Sequence, residues 1–300
     1  MFNIKLSQSK GKSYLYIHIA VILWGFTAIL GDIITINAFD LVWWRVCLIS
    51  LGFILWPGML TKIRALSTTS RKKLFFVGVI IALHWICFYG SIKLANASIA
   101  LITFSTTAFF TAILEPLFFK SVLSKIDVLF GILVVPAMIL IAFNFSSTYL
   151  IGFWVGILSA FLAALFSILN KKYIEIAEPD VMTFFEMLSA FVFMSFLIPL
   201  VNNNLWRSSF FPSSQNLFYL IVLAIICTIL PFILHLKALK ELSAFTTNLI
   251  VNLEPIYGVI MAALILNEYN ELDVNFYLGG SVIVVLVILY PLVKRVKKSA

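Results

Sequence analysis

The 300-residue sequence predicts an all-α membrane protein with ten transmembrane helices. Its composition is 62% hydrophobic and only 11% charged, whereas ordinary soluble domains are about 45–50% apolar and about 25% charged. The apolar excess must therefore face lipid. Two further observations, the length of the apolar runs and the placement of the cations, support this fold class. Together they exclude a soluble enzyme, a disordered chain and a nucleic-acid-binding protein.

Ten apolar runs have roughly the length needed to cross a bilayer, which takes about 20 residues of helix, and the fifth run is the shortest. The predicted spans are Leu15–Ile34, Leu41–Pro57, Leu74–Ile92, Ser98–Phe119, Val128–Phe143, Ile151–Leu169, Val181–Val201, Leu217–Leu236, Phe245–Leu266 and Phe276–Val293. The runs are continuous rather than alternating, which excludes a β-barrel. The remaining connectors are too short to hold a soluble domain.

Lysine and arginine placement sets the predicted orientation, because cytoplasmic connectors carry the excess of these residues. With the N-terminus inside, 18 of the 21 cations fall on inner segments. Only Lys93 and Arg207 fall on outer segments, and Arg45 lies within a span. Both termini are therefore predicted to be cytoplasmic, and Leu15–Ile34 is predicted to stay as the first helix rather than be cleaved.

The chain divides near Thr148 into two halves of five spans, residues 1–148 and 149–300. Because each half has an odd number of spans, equivalent helices of the two halves cross the membrane in opposite directions. The link after the fourth span carries Lys120 and Lys125, whereas the equivalent link at 267–273 is acidic. Inverted repeats of this kind underlie many secondary transporters, which bind substrate near the bilayer midplane. The alternative is two tandem bundles with no pathway between them.

A segment of the second half, residues 239–268, resembles the ninth-helix signature of the drug/metabolite transporter superfamily, EamA family. The matching features are Ala-Leu-Lys before the helix, Glu254-Pro255 within it and Glu268 at its end. Trp24-Gly25 and Arg45 also match. The first half departs, with Thr107 or Ala108 in place of a proline and Lys120 in place of a glutamate. The resemblance implies a bacterial inner-membrane protein that moves amino acids or similar metabolites through a cavity lined by helices one, three, four, six, eight and nine.

Four charged side chains stand out inside the predicted spans, because charges there are costly and usually face a cavity or each other. They are Arg45, Glu115, Glu186 and Glu254. Arg45 is a candidate for binding a carboxylate, the alternative being a structural pair. Glu254 is a candidate for binding a cationic group or moving a proton, the alternative being a hydrogen-bonded structural acid. Glu115 is interpreted as structural, with Lys120 or Lys125 as its partner.

The uncharged candidates for substrate binding are Trp24, His84, Thr103, Thr107, Asn248 and Asn252. Thr103 and Thr107 belong to a hydroxyl stripe on the fourth span, which also suits ordinary helix packing in lipid. His84 fits either a proton relay or a hydrogen-bonded core residue. Asn248 and Asn252 share a helix face because they are four residues apart.

The sequence contains no P-loop, nucleophile elbow or metal-ligand motif, so we expect neither an enzyme nor a metal or cofactor. The predicted function is a secondary transporter that exports amino acids or related small metabolites by alternating access. Proton coupling stays open, as does the choice between a monomer and a homodimer. The alternatives from other classes are an intramembrane enzyme and a non-transporting membrane subunit.

Overall fold

A computed structural model describes residues 2–141, 147–201, 210–254, 256–258, 261 and 274–299, and all regular secondary structure in these ranges is helical. The helices are α1 (Phe2–Ile33), α2 (Ala38–Ile54), α3 (Met59–Arg64), α4 (Thr68–Leu94), α5 (Ala97–Phe104), α6 (Thr107–Phe119), α7 (Lys125–Ile141), α8 (Leu150–Tyr173), α9 (Pro179–Val201), α10 (Ser214–Ala224), α11 (Leu230–Glu241), α12 (Ala244–Val251) and α13 (Val274–Ser299). The apolar runs of the sequence thus coincide with helices in the described ranges.

Five described helical segments are long and apolar enough to cross a membrane, which agrees with a multi-pass membrane protein. They are Lys10–Ile33, Thr68–Leu94, Leu150–Tyr173, Pro179–Ile198 and Ser214–Glu241. Thr107–Phe119 and Ser281–Lys294 are shorter apolar helices. Large apolar side chains cover the outer surface, among them Phe196 at 75% exposed. The total of ten spans and the orientation of the termini stay predictions.

The fourth predicted span is not one continuous helix. It divides into α5 and α6, with a turn at Ser105 and Thr106. The hydroxyl of Thr106 donates to the carbonyl oxygen of Thr103 at 2.6 Å, and that of Thr107 donates to the carbonyl oxygen of Phe104. Threonine hydroxyls compete in this way for the backbone acceptors of a helix. The hydroxyl stripe expected along one continuous helix is therefore interrupted at this turn.

The eighth and ninth predicted spans also contain irregular turns. A π-helical turn, Ile225–Ile229, separates α10 from α11, and the Thr228 hydroxyl donates to the carbonyl oxygen of Leu223 at 2.6 Å. Helix α12 ends at Val251 and is followed by a turn at Asn252 and Leu253. Pro255, which the sequence places at the centre of this span, lies outside the described residues.

The contacts between helices are symmetric between the two halves of the chain. When spans one to five are exchanged with spans six to ten, each of the following pairs of packed spans becomes a pair that is also packed. The first span packs on the eighth (α1 on α11), and the sixth packs on the third (α8 on α4). The fourth packs on the sixth, and the ninth packs on the first. The second pairs with the seventh, the fourth with the ninth and the fifth with the tenth. A symmetric set of contacts of this kind is typical of two related halves.

Close helix contacts are made through glycine. A Cβ atom added at Gly152 would lie 2.6 Å from the Cβ of Ala95, and one added at Gly156 would lie 2.0 Å from the Thr103 hydroxyl oxygen. The spacing of Gly152 and Gly156 indicates close packing in membrane helices, and the structure confirms it. Helix α8 thereby approaches α4 and α5 closely enough to form one wall of the cavity.

Candidate functional site

A cavity lies where two apolar cores meet. Trp24 and Phe104 pack against both cores and both line the cavity. Its volume is about 50 Å³, which is smaller than the about 300–1,000 Å³ of most ligand pockets. The lining consists of Trp24, Thr27, Arg45, His84, Trp85, Phe88, Tyr89, Phe104, Thr107, Ala163, Phe166, Phe232, His235, Asn248, Val251 and Glu254. The lining is contributed by helices from both halves of the chain.

Arg45 is a buried guanidinium held in place by three neighbours. Its Nε donates to the Thr228 hydroxyl at 2.9 Å, and its Nη1 donates to the Tyr89 hydroxyl at 2.9 Å. Its guanidinium carbon lies 3.8 Å from the centroid of the Trp85 ring. These described hydrogen bonds use two of the five N–H groups of a guanidinium. A fixed, always charged fork of this kind matches the geometry of a carboxylate.

Glu254 is the second buried charge on the cavity wall. Its Oε1 accepts a hydrogen bond of 3.4 Å from the Thr27 hydroxyl, which also donates to the Trp24 carbonyl oxygen at 2.7 Å. Among the ion pairs within the described ranges, none joins Glu254 to Arg45. The cavity therefore presents one cation and one carboxylate that face the same space without contacting each other.

His84 is anchored to the neighbouring helix α8. Its Nδ1 lies 2.9 Å from both the carbonyl oxygen and the hydroxyl of Ser159, and its ring stacks on Phe104 with the centroids 5.4 Å apart. His84 is thus hydrogen-bonded in the core and also lines the cavity, and its role as a proton relay stays a prediction.

The structure brings together six of the eight residues that the sequence nominated for substrate binding. Trp24, Arg45, His84, Thr107, Asn248 and Glu254 all line the cavity. Asn248 uses its amide nitrogen to donate to the Thr111 hydroxyl at 2.8 Å. Thr103 and Asn252 are not part of the lining.

The two outlying candidates have other surroundings. Thr103 donates to the carbonyl oxygens of Ile99 and Ala100 and packs against Gly156. Asn252 lies in the turn after α12, and its buried amide has no hydrogen-bond partner among the described residues. The helix ends at Val251, so the shared face expected for Asn248 and Asn252 is not maintained by regular helix geometry.

Glu115 and Glu186 lie outside the cavity lining. The carboxylate of Glu115 accepts backbone hydrogen bonds from Ala244 at 3.1 Å and Phe245 at 2.9 Å. The expectation of a lysine partner was wrong, because the carboxylate instead caps the N-terminus of α12, where backbone donors are free. Glu186 is fully buried and accepts from the Asn170 amide at 3.4 Å.

Sequence reasoning missed His235 and most of the aromatic wall. His235 lines the cavity, and its ring lies against Trp24 with centroids 5.4 Å apart. Phe232 contacts Trp24, Trp85 and Phe166 with ring centroids 5.5–6.2 Å apart. Both residues lie on the predicted eighth span, three residues apart, so they share a helix face. The spacing of three residues was the feature of the sequence that could have identified both residues as facing the cavity.

Comparison with known proteins decides the family. The EamA-like transporter family matches residues 11–143 and again residues 150–290. The chain belongs to the EamA-like transporter family. The two matches also show that this EamA-like transporter contains two copies of the family's repeat. The family assignment and the long apolar helices support a multi-pass membrane protein, and the assignment favours transport over the enzyme alternative.

The relatives agree with this assignment. An uncharacterized transporter of Clostridium kluyveri is 25% identical to the EamA-like chain over 205 residues. The match covers 64% of this chain and spans 65% of the length of that relative. A protein of known crystal structure has the same fold, with a TM-score of 0.75 at 12% identity. That similarity covers 95% of this chain and 98% of the other.

Proposed function

We propose that this EamA-like protein is a secondary transporter that exports amino acids or related small metabolites by alternating access. Residues 1–148 and 149–300 form its two inverted five-helix halves. The binding site is the central cavity, near the bilayer midplane. The protein resides in a bacterial inner membrane with both termini in the cytoplasm. The observation that carries this proposal is that Arg45 and Glu254, two opposite charges that are not paired with each other, both line the cavity.

The substrate class follows from the charges. A zwitterion offers a carboxylate to the Arg45 guanidinium and an ammonium group to the Glu254 carboxylate. Each contact is a charge-assisted hydrogen bond, which is stronger than a neutral one. Without substrate, Arg45 and Glu254 each lack an oppositely charged partner within the described ranges. A substrate that carries only one charge would leave the other side chain uncompensated, which is costly at a buried site.

The irregular turns support a moving scaffold around this cavity. The turn between α5 and α6 precedes the lining residue Thr107, the π-helical turn contains the Arg45 partner Thr228, and the turn after α12 precedes Glu254. Interrupted helices at the repeat interface are typical of transporters, which rock one repeat against the other. Non-helical backbone is tolerated at membrane depth where it is buried or lines a cavity.

Flux into or out of proteoliposomes tests the proposal. Vesicles that contain the purified protein should exchange labelled amino acids faster than empty vesicles. Glu254→Gln should lower the flux about tenfold or more, because one charge-assisted hydrogen bond is weakened. Glu186→Gln is the matched control, since it makes the same change at a buried acid outside the cavity, and it should leave the flux close to wild type.

The following results would contradict the proposal. A correctly folded wild-type protein that moves no amino acid, while binding none in detergent, would remove amino acids as the substrate class. Equal loss of flux in Glu254→Gln and Glu186→Gln would show that the Glu254 effect is structural. If the protein is a non-transporting subunit, neither the wild type nor the two variants should give more flux than empty vesicles.

A further inference from the structure

His235 lines the cavity without a hydrogen-bond partner among the residues that the structure describes. It is 2% exposed, and both of its ring nitrogens lack a hydrogen-bond partner among the described residues. Burying an unpaired polar group is unfavourable, because the group loses its hydrogen bonds to water. The other described histidines, His18 and His84, each have a partner within 3.3 Å. A ligand in the cavity would supply the missing contacts to His235.

The depth of His235 in the cavity can be measured from Thr228, which lies on the same predicted span. The Arg45 Nε contacts Thr228 at 2.9 Å, so Thr228 marks the level of the guanidinium. His235 follows seven residues later along α11, which is about 10 Å further along the helix axis at 1.5 Å per residue. His235 and Arg45 therefore lie at two different depths of the same cavity.

Glu254 lies between these two depths. Thr35 and Asn216 are hydrogen-bonded at 2.9 Å, which places the end of α1 beside the start of α10, so the two spans run antiparallel. Along α1, Trp24 contacts His235, and Thr27, which bonds Glu254, is about 4.5 Å closer to the Arg45 level at 1.5 Å per residue. The order along the cavity is Arg45, Glu254, His235.

We propose that His235 binds the side chain of the substrate and selects amino acids whose side chain carries a hydroxyl or carboxamide group. This inference rests on the proposed function, in which Arg45 and Glu254 hold the carboxylate and the ammonium group. The substrate side chain then extends from the Glu254 level toward His235. A neutral imidazole offers one N–H donor and one acceptor, which a hydroxyl or carboxamide complements and an aliphatic side chain does not.

The chemistry predicts strong discrimination between matched substrates. A site built to hydrogen-bond a polar group discriminates strongly against an analogue that lacks the group, because the protein's own polar atoms are then left unpaired. Threonine and valine form the sharpest pair, since they differ by a hydroxyl in place of a methyl group. Asparagine and leucine form a second pair for the carboxamide.

The test measures transport of threonine and valine by wild-type and variant proteins in proteoliposomes. Wild type should favour threonine by about tenfold or more in kcat/KM. His235→Phe keeps a ring against Trp24 and should reduce the ratio to about one while valine transport persists. His235→Gln keeps a donor and an acceptor and should restore part of the preference. His18→Phe is the matched control, because His18 lies outside this cavity, and it should leave the ratio unchanged.

The possible results separate this inference from the proposed function. If wild type transports amino acids but treats threonine and valine alike, the role of His235 is wrong and the transporter proposal stands. If His235→Phe and His235→Gln keep the wild-type ratio, the same conclusion follows. If His235→Phe does not fold, the ratio in His235→Gln decides. If the wild-type protein neither transports nor binds any amino acid, both proposals are overturned.

Discussion

The Nη1 atom of Arg45 donates a hydrogen bond of 2.9 Å to the hydroxyl of Tyr89. Both side chains are buried, and both line the central cavity. Tyr89 therefore does more than fill space: together with Thr228 it fixes the direction in which the guanidinium points. A guanidinium that is already oriented loses less side-chain freedom when it binds a carboxylate.

Tyr89→Phe should therefore weaken substrate binding through Arg45. The variant loses one hydrogen bond to a charged group, worth about 1.5–3 kcal/mol, and we expect KM for amino acids to rise about tenfold. An amine that lacks the carboxylate should bind wild type more weakly, and Tyr89→Phe should not weaken its binding further, because that ligand makes no contact with Arg45. Tyr219→Phe, on α10 outside the cavity lining, is the control. An equal effect on both substrates would contradict a positioning role.

Proton coupling through Glu254 gives a second prediction. If Glu254 exchanges a proton for the substrate ammonium group, an imposed pH gradient drives wild-type flux. Glu254→Gln cannot exchange a proton, so its residual flux should be independent of the gradient. The measurement is flux at several gradients of equal ionic strength, with Glu186→Gln as the control that keeps the wild-type response. A gradient response that survives in Glu254→Gln would assign coupling to another group.

The sequence predicts the helical class and much of the cavity, and the reasons differ between residues. Arg45 and Glu254 are found from sequence because a charge within an apolar run is rare and costly. His235 and Phe232 are not found from the sequence, because a histidine and a phenylalanine in a buried helix also suit ordinary packing. Their role depends on which residues of other helices face them, and that information is tertiary.

Helix interruptions are the other feature that the sequence does not reveal. Threonine-rich runs are common in continuous membrane helices, yet Thr106 and Thr107 bond backbone carbonyls beside a break. The partner of Glu115 was wrongly predicted for a related reason. Sequence proximity suggested Lys120 and Lys125, whereas the carboxylate contacts backbone donors about 130 positions away, at Ala244 and Phe245.

The Glu115 cap leads to a stability prediction. Glu115→Ala removes the acceptor of two backbone N–H groups at the start of α12. We expect a loss of about 1–2 kcal/mol, the usual range for a helix cap. Glu115→Gln keeps one carbonyl acceptor and should lose less. Thermal unfolding in detergent measures both. Equal stability of the alanine variant and wild type would show that the two N–H groups find other partners.

Two glycines of α4 provide a matched pair for testing helix packing. A Cβ atom at Gly78 would lie 2.3 Å from the backbone oxygen of Glu186 on α9, whereas one at Gly90 would lie no closer than 3.6 Å to Val155. Backbone cannot move aside as a flexible side chain can, so Gly78→Ala must push α4 away from α9. Overpacking of this kind costs about 1–3 kcal/mol, and occasionally more.

Gly78→Ala should therefore lower the unfolding temperature in detergent, and Gly90→Ala should not. Alanine has the higher helix propensity by about 1 kcal/mol, so Gly90→Ala is expected to be neutral or slightly stabilising. The comparison controls for helix, for residue type and for the added methyl group. If both variants unfold at the same temperature, α4 and α9 do not pack as closely as the structure places them.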